Sequence, residues 1–108
     1  MSRLLMALAA LALALPALAA GNAEAGKQKA AQICAACHGP AGDKPSAPEN
    51  PILAGQHYDY LVKALRDYKS GKRENPIMKG FAASLSPQEI ENLAAWFSSQ
   101  SSGLHSQR

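Results

Sequence analysis

Two cysteines and a histidine stand together in this chain as Cys34-Ala35-Ala36-Cys37-His38. On a helix, positions i, i+3 and i+4 share a face. Both thiols and the imidazole therefore point to one side. Two thiols at this spacing reach the two vinyl groups of one porphyrin and form thioethers with them. The adjacent imidazole then falls beneath the iron. Cys-x-x-Cys-His is the spacing of covalent haem attachment, and the small Ala35 and Ala36 leave room for the ring to lie close.

Other chemistries of a Cys-x-x-Cys pair fit less well. A structural zinc site takes four ligands, for which the chain has two cysteines and three histidines, His38, His57 and His105. A thioredoxin-like pair belongs near a βαβ pattern, and no strand pattern is legible. A plain disulfide suits an exported protein but leaves His38 without a role. With so small a loop it also constrains the unfolded chain little.

A six-coordinate iron needs a second axial ligand, and methionine is the soft, neutral partner that raises the potential in cytochromes. Of the three methionines, Met1 and Met6 precede the domain. Met78 stands in the segment Asn75-Pro76-Ile77-Met78-Lys79-Gly80, read as a loop beyond the second helix. It is the favoured sixth ligand. His57 and His105 compete for the role, but one heads a helix and the other sits in a polar tail, where solvent-facing histidines are ordinary.

The elements that must position these groups begin after a leader. Arg3, the apolar run Leu4 to Leu15 and the small residues Ala17-Leu18-Ala19-Ala20 read as a secretory signal peptide over residues 1–20. The run is too short to span a bilayer, which takes about 20 apolar residues. Residues 21–100 make one domain and 101–108 a frayed polar tail. A chain this short is near the size at which an apolar core alone is marginal, so a cofactor would add what the core lacks. The formal net charge is +3, one unit of it from Arg3. The remaining charge is mixed, without the basic density that nucleic-acid binding needs.

Three main helices are expected. The first runs from Ala23 to Cys37, alanine-rich and capped by Asn22. The second runs from His57 to Ser70, with Tyr58, Leu61, Val62, Leu65 and Tyr68 at helical spacing and Gly71 closing it. The third starts at Ser86-Pro87-Gln88-Glu89, an N-cap serine, a proline at the first helical position and a capping-box glutamate. Ile90, Leu93, Ala94 and Phe97 form its apolar stripe. Gly39 to Gln56 carries Pro40, Pro45, Pro48 and Pro51 and is irregular, as is Lys72 to Leu85. The fold class is all-α with long loops, and such loops in a small domain tend to wrap around something.

These residues resemble a class I cytochrome c over nearly the whole mature chain. The likeness is to short bacterial single-haem cytochromes and to either half of the two-haem ones. Its marks are Gly26 ahead of Cys34, the motif through His38 and Gly39, Pro51-Ile52-Leu53-Ala54-Gly55-Gln56, Tyr60-Leu61, Gly71-Lys72-Arg73, Met78, Leu85-Ser86, and Leu93 with Trp96. The resemblance implies the cytochrome c fold around one covalently bound haem c. It also implies that Pro51 offers its carbonyl to the His38 ring, that Leu53 packs on the haem, and that Gly26 lets the first helix cross the last near Leu93 and Trp96. One departure is Ala30, where many relatives have a large aromatic residue whose space Trp96 could fill.

The expected function is a periplasmic electron carrier, not an enzyme, since two axial ligands leave no position for a small-molecule substrate. Its partners would be redox proteins that donate and accept electrons, membrane respiratory complexes among the candidates. A gas-binding haem protein with a labile sixth ligand and an electron-transfer subunit of a larger oxidoreductase are the alternatives.

Overall fold

The structure is a computed structural model that describes residues 21–101. The expected leader, His105 and the expected tail beyond Ser101 lie outside the described residues. Within them the fold is helical, with no strand: α1 Ala23–Ile33, α2 Ala35–His38, α3 Tyr58–Ser70, α4 Pro76–Ala83 and α5 Pro87–Ser98.

The helix starts follow from local chemistry. The Asn22 side chain accepts from the Ala25 N–H at 3.0 Å, satisfying one of the orphan donors of α1. At α5, Glu89 N–H donates to Ser86 Oγ at 3.0 Å, and Ser86 N–H donates back to Glu89 Oε1 at 2.9 Å. That reciprocal box, with Pro87 in the first turn, sets the start of α5. α3 ends where Gly71 turns left-handed, with φ 84° and ψ 2°, a conformation that costs glycine nothing.

Two expectations are corrected. The first helix does not run on to Cys37. It ends at Ile33, and Cys34, at φ −110°, starts a new short turn. The Cys34 carbonyl accepts from both Cys37 N–H at 3.2 Å and His38 N–H at 3.0 Å, which restarts the helix for α2. The segment Lys72 to Leu85 is not irregular throughout, since it contains α4. Asn75 caps that helix, its side chain accepting from the N–H groups of Ile77 at 3.1 Å and Met78 at 3.0 Å. Pro76 sits in the first turn, where its missing N–H is no loss.

α1 crosses α5 at Gly26. A β-carbon there would lie 1.9 Å from the Asn92 carbonyl oxygen and 3.0 Å from Trp96 Cβ, so only glycine permits the approach. Asn92 Oδ1 also accepts from the Asn22 N–H at 2.8 Å, fixing the register of the pair. α3 packs against both α4 and α5. The shared core comprises Ala30, Leu61, Val62, Leu85, Ile90, Leu93, Ala94 and Phe97. Fully burying Leu85, Ile90 and Leu93 contributes about 1.5–3 kcal/mol each. Ala30 is completely buried in this core. Trp96 packs at its margin, with its indole N–H donating to the Pro40 carbonyl at 3.1 Å and Lys27 above the ring.

Candidate functional site

The long segment after His38 is held back against the helices by its own backbone. Leu53 and Ala54 N–H both donate to the Gly42 carbonyl, at 2.8 and 3.1 Å, and Gly55 N–H donates to the Phe97 carbonyl at 2.9 Å. Folded this way, the segment forms one side of a cleft of about 800 Å³, measured out to its open mouth. α1 and α2 supply Ile33, Cys34, Cys37 and His38 to the cleft, and the segment supplies Asn50, Pro51 and Leu53. α3, α4 and α5 complete it, Leu61 and Leu65 from α3, Met78 and Phe81 from α4, Leu93 and Phe97 from α5.

The cleft thus brings together Cys34, Cys37, His38, Pro51, Leu53 and Met78. His57 does not line it and is exposed as the N-cap of α3. Met78 enters from α4, not from a loop, and is half-buried.

His38 is buried, 7% exposed, and its Nδ1 lies 2.9 Å from the Pro51 carbonyl oxygen. A carbonyl can only accept, so Nδ1 carries the hydrogen. In the neutral ring Nε2 then holds a free lone pair, the form that binds a metal. The hydrogen bond also fixes the plane of the imidazole.

Cys34 differs from a reactive thiolate. Burial pushes the Cys34 thiol up to about 11, against the opposing pull of Lys29 and with a further push from Cys37. An uncharged thiol in an apolar wall is not poised for disulfide exchange, which uses the thiolate. No charged side chain lines the cleft among the described residues, and its surface is largely hydrocarbon. Thiols at i and i+3, an imidazole with Nε2 free, a thioether and apolar walls form a donor set that fits a flat, apolar, iron-bearing ring.

Sequence reasoning missed two contributors. Of α4 the sequence reading named Met78 but neither the helix nor Phe81, although Asn75-Pro76 pairs a cap with a proline as Ser86-Pro87 does at α5. Asn50 carries no such signal, because its role depends on how the proline-rich segment folds back.

The family model described as Cytochrome c matches residues 23–101. Cytochrome c4 of Pseudomonas aeruginosa is 50% identical over 82 residues, covering 76% of this chain and 40% of that protein. Cytochrome c-554(548) of Halomonas halodenitrificans is 39% identical over 84 residues, covering 75% of this chain and 99% of that protein. The crystal structure of reduced cytochrome c4 from Pseudomonas stutzeri superposes with a TM-score of 0.70 at 45% identity, over 76% of this chain and 47% of that one. The chain spans less than half the length of either cytochrome c4. Matched from α1 through α5 and built around a cleft that holds the Cys-x-x-Cys-His motif, the chain belongs to the cytochrome c family, and its cofactor is haem c.

Proposed function

We propose that the chain is a periplasmic one-electron carrier, with one haem c bound through thioethers to Cys34 and Cys37 and with His38 and Met78 as the axial iron ligands. The observation that carries this is the convergence of all four residues on one apolar cleft. When bound, haem c supplies an iron that alternates between ferric and ferrous states.

The chain's own residues set how that change proceeds. Cys34 and Cys37 tether the ring so that it is not lost between turnovers. His38 keeps its orientation because Pro51 holds its Nδ1–H. Leu53, Leu61, Leu65, Leu93 and Phe97 exclude water from the cleft. A low dielectric and a neutral thioether from Met78 both favour the less charged ferrous state, so the potential is fairly high. With His38 and Met78 both holding the iron, no iron position would be left for a substrate, and the role would be that of a carrier rather than an enzyme. At the mouth of the cleft Ile77 and Phe81 are 69% and 41% exposed, an apolar contact for the redox proteins that donate and accept electrons, membrane respiratory complexes among them.

The test is a reductive titration of holoprotein isolated from the periplasm. The expected result is one acid–acetone-resistant haem per chain, reversible one-electron behaviour, and a ferrous form slow to bind carbon monoxide. Extractable haem would overturn the attachment. Rapid carbon monoxide binding by the unmodified protein would instead indicate a ligand-binding haem protein.

A further inference from the structure

Two neighbouring residues of the proline-rich segment hold two neighbouring residues of the Cys-x-x-Cys-His motif. The Pro51 carbonyl accepts from His38 Nδ1 at 2.9 Å, and Asn50 Nδ2 donates to the Cys37 carbonyl at 3.1 Å. The Cys37 carbonyl lies in the last turn of a short helix, where carbonyls lack intrahelical donors. It accepts from the segment twice, from the Asn50 amide and from Ser46 N–H at 3.0 Å.

The backbone around Asn50 is stiff. Its own N–H donates to the Ala47 carbonyl at 3.1 Å. The proline that follows restricts it to extended conformations, and Pro51 has its own φ locked. Few free torsions therefore separate the Asn50 amide from the Pro51 carbonyl. Anchoring one places the other. Pro51 is itself exposed, so packing does little to hold its carbonyl in place. Asn50 is partly buried and lines the cleft beside it.

We propose that Asn50 is a positioning residue for the iron ligand: by tying the segment to the Cys37 carbonyl, it keeps the Pro51 carbonyl on His38 Nδ1–H. This rests on His38 being an axial ligand, as proposed above. The consequence is electronic as well as geometric. A firm Nδ1–H···O bond raises the basicity of the imidazole. A more basic ligand stabilises ferric iron and lowers the potential. Loosening the anchor therefore raises it.

The test uses the full holoprotein with Asn50→Ala and Asn50→Asp. The aspartate has nearly the same shape but, when ionised, cannot donate to Cys37. The readouts are the exchange rate of the His38 Nδ1–H with deuterium, followed by NMR of the ferric protein, and the reduction potential. Both variants should exchange at least tenfold faster and titrate at a higher potential. Asn50→Gln, which keeps an amide donor on a longer arm, should fall between them and the parent. Ser46→Ala removes only the weaker 3.4 Å contact of the same amide and should change little. Parent-like exchange and potential in Asn50→Asp, or in whichever of the two variants is recovered as holoprotein, overturn the proposal. If the unmodified protein shows no hyperfine-shifted His38 ring proton, it is the assignment of His38 as ligand that fails, and the proposal falls with it.

Discussion

Gly26→Ala should be far more damaging than its size suggests, and the cleft should register the damage. The added methyl would sit 1.9 Å from the Asn92 carbonyl oxygen, 2.6 Å from its carbon and 3.0 Å from Trp96 Cβ. Non-bonded carbons settle at about 3.5–4.0 Å, so the two helices must part by roughly 1.5 Å or bend. The first obstacle is backbone, which has no rotamer to escape into. Helix propensity favours alanine over glycine by about 1 kcal/mol. Overpacking costs about 1–3 kcal/mol where side chains can adjust, and here they cannot. A net loss of about 2–3 kcal/mol follows, a large share of the ~5–15 kcal/mol typical of a domain. In a domain of this size that lowers the melting temperature by about 10–20 °C. The displaced α5 carries Leu93 and Phe97 of the cleft wall, so the haem absorption bands should broaden as well. The assay is thermal unfolding of the oxidised holoprotein, followed by circular dichroism. A melting temperature unchanged to within about 3 °C, equivalent to under ~0.5 kcal/mol, would show that the close crossing is not what Gly26 is for.

Gly80→Ala should do the reverse: a β-carbon there meets nothing within 4 Å, so α4 should gain up to about 1 kcal/mol from propensity alone, read as a higher denaturant midpoint at unchanged slope. Glu89 is held below its ordinary value of 4.5 chiefly by the Ser86 backbone N–H and next by Lys29. Because its folded value is the lower one, its contribution to stability is present above the unfolded value and is lost as pH falls through the folded value. Unfolding midpoints measured across that acid range should show a slope that Glu89→Gln reduces. Lys79 lies beside Met78, and among the described residues its Nζ stands near Gly71 and pairs with no carboxylate. Lys79→Glu should therefore slow electron exchange with an acidic partner, most at low salt; rates independent of the substitution at every ionic strength would mean that this side chain is not at the contact.

What the sequence made legible was what covalent chemistry or local hydrogen bonding dictates. Cys34, Cys37 and His38 stand in one short motif, so their place on a single cleft could be read directly. Asn22, Ser86 with Glu89, and Gly71 act within a few residues of themselves, and the helix ends they mark are where expected. The break at Cys34 left no trace, because alanines on both sides suit one helix or two equally well. α4 was hidden for a different reason. It has eight residues, too few to show a period, and Gly80 interrupts it. It persists because it rests on α3, a tertiary support that local propensity does not report. Asn50 was beyond reach for the same reason, since its partner lies 13 residues away across a segment with no regular structure. The chemistry was written in the motif, whereas the scaffold that aims it was written in contacts.

The decisive measurement is the optical spectrum of ferric holoprotein with and without Met78→Ala. A methionine sulfur on ferric iron gives a weak charge-transfer band at the far-red end of the spectrum. The unmodified protein should show that band. Met78→Ala should lose it while keeping the haem attached, because the thioethers to Cys34 and Cys37 do not depend on Met78. A parent protein without the band, or a Met78→Ala spectrum identical to the parent, would contradict the His38 and Met78 ligand pair on which the carrier function stands.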